Sequence, residues 1–119
     1  MTKKEIEKII IPKGIVAKDT FYTLFQIYYI DRTGMIEIPD YYDEDTVAAI
    51  CYNATILFMN KVLEHSDYFE KNYNIKERNR IRVRKDLETM ELLKLSDDSA
   101  ALAKEIVDSL QNKMLIEDV

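Results

Sequence analysis

The sequence predicts an all-α fold: a small bundle of four to five helices around a long central helix, with at most one short strand. Three observations carry this. Residues 43–72 are apolar on two sides: Val47, Ile50, Cys51, Ala54, Phe58, Val62, His65 and Phe69 fall on one helical stripe, and Tyr52, Ile56, Met59 and Leu63 on a nearly opposite one. A helix covering one side of a core needs a single stripe, so two stripes mean a helix sandwiched between neighbours or a surface kept for a partner. The 119 residues include only two glycines and two prolines, too few turn residues for many short strands. Elsewhere the apolar residues recur at three- and four-residue spacing, the period of one helix face.

Taken in order, residues 3–11 read as a short helix or strand ending at Pro12, with a turn at Lys13-Gly14. A helix is expected after Asp19, a good N-cap, with Phe21, Leu24, Phe25 and Tyr28 inward and Gly34 supplying its C-terminal break. Met35-Ile36-Glu37-Ile38 alternates and ends at Pro39, which predicts a short extended piece. Asp40, Asp43, Glu44 and Asp45 then precede the long helix, where carboxylates complement the partial positive charge of a helix N-terminus. The long helix is expected to end between residues 66 and 74, at Asn72-Tyr73-Asn74. A further helix over residues 76–94 would turn Val83, Leu87, Met90 and Leu93 inward. Ser96 caps the last helix, whose stripe is Ala103, Ile106, Val107, Leu110 and Met114. Residues 1–119 therefore read as one domain, with a short basic N-terminal segment over 1–18 and a flexible tail over 116–119.

Charge is distributed in blocks. Residues 1–18 carry net +3, residues 19–75 net −7, residues 76–85 net +5 and residues 86–119 net −6. An acidic chain with one basic segment can grip phosphate locally, but its overall field repels nucleic acid. No apolar run reads as long enough to span a bilayer, and the N-terminus lacks the apolar core of a secretion signal. Cys51, the single cysteine, lies on the main apolar stripe and reads as an inert buried thiol in a reducing compartment. The expected location is cytoplasmic, or the host cytoplasm or particle of a virus.

Arg78, Arg80, Arg82, Arg84 and Lys85 are the sharpest chemical feature. Arginine forks suit phosphate or carboxylate, so the segment can grip an acidic protein partner or a nucleic-acid backbone. The competing reading is a solvated helix face paired with its own acids, such as Arg84 with Glu88 at i, i+4. Tyr41 and Tyr42 are the aromatic pair expected at the surface, where tyrosine anchors interfaces. Tyr52, Ile56, Met59 and Leu63 are candidates for a self-interface. His65, the only histidine, lacks companions for catalysis and stands nearly four helical turns from Cys51, too far to share a metal. The acidic cluster lacks the glycine and distal glutamate of a calcium loop. No motif calls for a catalytic residue, a metal or a cofactor.

These features favour a non-enzymatic interaction or assembly protein whose partner is another protein or a second copy of itself. A phage-like structural subunit or a small inhibitor of a larger complex would both fit. The alternative is a winged-helix-like nucleic-acid regulator made by breaking the long helix near Asn53 and using residues 76–85. Against it, the would-be recognition helix reads Ile56-Leu57-Phe58-Met59, where a groove-facing helix needs polar side chains and cations.

Overall fold

The computed structural model describes the backbone of residues 1–65 and 77–115, and the side chains of these residues except 77–79 and 113–115. Five helices follow in order: α1 (Lys3–Ile10), α2 (Ile15–Phe25), α3 (Glu44–Glu64), α4 (Glu77–Glu88) and α5 (Asp97–Leu115). A π-helical turn, Gln26–Ile30, continues α2. The expected all-α bundle around a central helix is what forms: α3 packs against all four other helices, most extensively α2 and α5. No strand occurs among the described residues, and residues 35–38 run through the loop between α2 and α3 unpaired.

The middle of α3 is sheathed on every side. Val47, Ala48, Ile50, Cys51, Ala54, Thr55 and Met59 are completely buried, and Tyr52, Asn53 and Ile56 nearly so. Tyr52, Ile56 and Met59 thus lie inside the chain's own core and offer no surface to a second copy; Leu63 is half-buried. By length and composition α3 could cross a membrane, contrary to the expectation that no run reaches that length, but 67% of its apolar window is covered by the other helices. It also runs unbroken through Asn53, so the helix pair of a winged helix does not form. Two polar groups inside the sheath are satisfied locally. The Thr55 hydroxyl donates to the Cys51 carbonyl at 2.8 Å. Asn53 pairs with the backbone of Leu93, its Nδ2 donating to the Leu93 carbonyl at 2.9 Å and its Oδ1 accepting the Leu93 N–H at 2.8 Å.

That pairing explains why α4 stops at Glu88 and not near residue 94. Thr89 and Met90 close the helix with tight bonds to the Asp86 and Leu87 carbonyls, and the chain then extends along α3, held by the Asn53 amide. Leu93, expected on the α4 stripe, therefore reaches the core from an extended segment. α3 ends at Glu64, with His65 as C-cap at φ −112°, ψ 36°. The expected break at residues 72–74, the last stripe position Phe69 and the tail over 116–119 lie outside the described residues.

Helix starts are fixed by side-chain oxygens, two of them borrowed from other helices. Asp43 accepts the Thr46 N–H at 2.8 Å and caps α3, and Ser96 accepts the Ser99 N–H at 3.2 Å and caps α5. Thr2 and Glu5 form a capping box at α1, and Asp45 of α3 accepts the Lys3 N–H at 2.8 Å. α2 begins at Ile15 with Gly14 as its N-cap, five residues before the expected cap Asp19, because its first free amide is met from another helix: Gly14 N–H donates to Asp86 Oδ2 at 2.9 Å. Asp86 is 5% exposed and also pairs with Arg82, Nε to Oδ1 at 3.4 Å. A Cβ on Gly14 would come within 2.6 Å of Arg82 Cγ and 2.8 Å of Asp86 Oδ2, so the residue is small to let α4 approach.

α1 and α2 are joined by Tyr22, whose hydroxyl donates to Glu7 Oε2 at 2.6 Å. Burial, helped by this bond, pushes the Tyr22 phenol up to about 12, and the same bond holds the Glu7 carboxyl below its ordinary value.

Two predictions follow from these contacts. Asp86→Ala strands a buried amide and is expected to cost about 1–3 kcal/mol in urea unfolding. Arg82→Ala removes an ion pair from a side chain that is 54% exposed and is expected to cost under about 1 kcal/mol. Equal losses would show that the ion pair, not the amide bond, matters. The fold favours the neutral Tyr22 phenol, so its contribution is complete below pH 10 and is lost as pH rises from 10 to about 12. Tyr22→Phe should therefore shrink the fall in stability over that window; an unchanged alkaline limb would refute the link.

Candidate functional site

The residues expected to meet a partner are divided between the two ends of α2. Its N-terminal end meets α4. There Arg82 is turned toward α2 by its pairing with Asp86 and lines an open cleft of about 430 Å³ with Lys13, Gly14, Ile15 and Val16. Ile15 is 71% exposed. The Lys13 ammonium is held by the Thr89 hydroxyl just past the end of α4. Arg84 and Lys85 are exposed, and neither makes an ion pair among the described residues, so the expected Arg84–Glu88 pair is absent. With Ile81, itself exposed, they share one helix face at three- and four-residue spacing. Arg80 is half-buried, and the Arg78 side chain lies outside the described residues.

At the other end, the π-helical turn leads into the loop before α3. The turn closes with Asp31 N–H donating to the Gln26 carbonyl at 2.8 Å. Arg32 follows with φ 52°, a left-handed conformation that costs an ordinary side chain about 1–2 kcal/mol. Its guanidinium lies over the Tyr29 ring, 5.4 Å from the centroid, and pairs with Asp40 at 3.4 Å. Gly34, expected to supply the C-terminal break of the helix, does not have a positive φ. Its role is close approach: a Cβ there would run into the Tyr28 ring. Burial pushes the Tyr28 phenol above its ordinary value, with Cys51 adding to the shift and the Met35 backbone opposing it.

These features enclose a cavity of about 310 Å³ lined by Tyr28, Arg32, Gly34, Met35, Glu37 and Asp40, among others. Met35, which lines it, is 70% exposed, and Ile30 and Tyr41, close in the chain to the lining residues Arg32 and Asp40, are exposed by 61% and 81%. Met35 is tethered to α5 through its sulfur, which accepts from the Ser109 hydroxyl at 3.4 Å. Tyr41 packs edge-on against half-buried Tyr42, with centroids 5.0 Å apart. Tyr41 and Tyr42 therefore belong to the loop end, and no hydrogen bond, ion pair or ring contact among the described residues joins them to the arginines of α4. The alternating loop residues signalled an extended piece, but nothing in the sequence marked the π turn or the Arg32 backbone. The exposure of Ile15 was likewise hidden by reading α2 from Asp19.

The remaining candidates sit in the core, at helix ends and in ion pairs. Cys51 is completely buried, and its thiol is pushed up to about 12 by that burial. His65 is half-buried at the end of α3, its N–H bonded to the Lys61 carbonyl at 2.9 Å. Asp43 and Asp45 cap helices, Glu44 approaches Lys3 at 3.7 Å, and Asp40 pairs with Arg32. No group of three or more His, Cys, Asp or Glu side chains is placed to hold a metal among the described residues. Comparison with protein-family models, with curated proteins and with solved structures gave no match to this chain.

The geometry predicts that Gly34→Ala, which overpacks the Tyr28 ring, lowers stability by about 1–3 kcal/mol. Arg32→Gly relieves the left-handed backbone while losing exposed contacts, so a change under about 1 kcal/mol is expected in the same denaturation assay. A larger loss for Arg32→Gly would mean that the guanidinium, and not the approach at Gly34, holds the loop.

Proposed function

We propose that the protein is a non-enzymatic interaction or assembly subunit of a reducing, cytoplasmic compartment, and that it binds another protein through the junction of α2 and α4. The observation that carries this reading is that exposed apolar side chains accompany two exposed cations, Arg84 and Lys85, that make no ion pair among the described residues. Ile15 and Ile81 are open to solvent, the former beside the Arg82-lined cleft, the latter one turn from Arg84 and Lys85. Such a face is complementary to a protein segment that presents carboxylates around an apolar anchor. Apolar contact supplies affinity, and the cations set orientation and rate of encounter.

Arg82 is the wrong residue with which to test this, because reversing its charge would set a carboxylate beside buried Asp86. Arg84→Glu/Lys85→Glu leaves that contact intact. A photo-cross-linking amino acid placed at Ile15 in the full chain is expected to form protein adducts in extracts of the cells that express it. The double reversal should reduce their yield several-fold while the helical circular dichroism is unchanged. Adducts of undiminished yield, or none at all, would refute the reading, and adducts lost on nuclease treatment would transfer the face to nucleic acid.

A further inference from the structure

We infer that the partner of the α2–α4 junction is a second copy of the chain, which presents the loop and cavity at the far end of α2, so that molecules join head to tail. This rests on the reading above and adds the identity of the partner. The two ends of α2 complement each other in charge and are each incompletely covered. At one end Arg84 and Lys85 flank exposed Ile81 on α4, the helix whose Arg82 lines the cleft with exposed Ile15. At the other, residues 31–45 hold a single cation, Arg32, against six carboxylates, Met35 of the cavity lining is exposed, and so are Ile30 and Tyr41 of the same π turn and loop.

The cavity suits a long cationic side chain. Its volume is about 310 Å³, the Tyr28 ring forms one wall, and Glu37 and Asp40 supply carboxylates. Its own cation is already engaged, over the Tyr29 ring and against Asp40. Asp40 is 95% exposed, so it can turn to an incoming guanidinium or ammonium without leaving a buried group unpaired. Within one molecule the two faces cannot meet. Ile15 and Ile30 are fifteen residues apart on one continuous helical rod, roughly 20 Å at about 1.5 Å per residue. A contact between unlike patches at opposite ends of a subunit is heterologous, and its repetition gives a ring or a filament, not a closed two-fold dimer. It leaves the buried residues of α3 untouched.

Complementation tests this directly. Light scattering on the full chain at low salt is expected to give a mass of two chains or more, falling toward one chain at moderate salt. Arg84→Glu/Lys85→Glu and Glu37→Lys/Asp40→Lys should each be monomeric with helical circular dichroism retained. Mixed in equal amounts, the two variants offer one intact and one inverted pair of faces and should again form species of two chains or more. Combining all four substitutions in one chain should restore assembly. A wild-type chain that stays monomeric at every concentration and salt, or variants that assemble as the wild type does, would overturn the inference. If the wild type is monomeric while the cross-linker at Ile15 still captures a foreign protein through Arg84 and Lys85, the junction keeps its function and only the second copy is excluded. Monomer without adducts removes both.

Discussion

The burial of α3 on all sides is the constraint from which the architecture follows. A helix with one apolar stripe can lie on the outside of a bundle, but one with Val47, Cys51, Tyr52, Ile56 and Met59 all inside has to be surrounded. In a chain of 119 residues the surrounding layer can only be one helix thick. α1, α2, α4 and α5 therefore each turn one face to α3 and the other to water, and the protein has a single concentric core. The extended segment around Leu93 completes the layer where no helix covers α3, and the Asn53 amide supplies the hydrogen bonds a helix would have supplied to itself.

A layer of short helices leaves many helix ends near the core, and each end carries amides with no partner in its own helix. Here the partners come in part from neighbouring helices. Asp45 of α3 serves α1, and Asp86 of α4 serves α2. A carboxylate in this role does more than satisfy a donor. It fixes the position of one helix against another, because the bond is short and directional where apolar contact is not. The same bond brings α4 so near α2 that Gly14 has no room for a Cβ, and it draws Arg82 out of the basic segment into structural use.

Much of this was legible in the residues. The inward stripes of α2 and α5 were read correctly at Phe21, Leu24, Phe25, Tyr28, Ala103, Ile106 and Val107, since helical period is a property of sequence alone. The cap residues Asp43 and Ser96 were legible for the same reason, being local. What was missed is tertiary. Asp19 looks like the better N-cap than Gly14 until Asp86 is brought in from 72 residues away. A signal was present, because Asp86 lies three residues after Val83 on the buried side of α4, where a carboxylate needs a partner. No comparable signal announced the π turn after Phe25 or the left-handed Arg32, because both are local geometries that the packing of Tyr28, Gly34 and Asp40 imposes. The cavity beside them was therefore not foreseeable, although Tyr41, next in the chain to Asp40 of its lining, was expected at the surface.

Segregated charge takes on a different meaning once the helices are placed. Along the sequence the blocks alternate, which reads equally well as a solvated surface that pairs with itself. In the fold the capping acids and Arg82 are withdrawn into structural contacts, and two groups of exposed charge lie apart along α2: Arg84 and Lys85 toward one end, Glu37 and Asp40 toward the other. Opposite charges held apart on a rigid rod cannot neutralise each other at contact, and at physiological salt they are screened over about 8 Å, well short of the rod's length. The proposed head-to-tail contact would bring them together. Ile15 and Ile81 lie toward one of these ends and Ile30, Met35 and Tyr41 toward the other, so exposed apolar side chains and exposed charge coincide twice on one molecule. Scattered exposed apolar residues need no explanation, but their coincidence with opposite charges at opposite poles gives the molecule a direction.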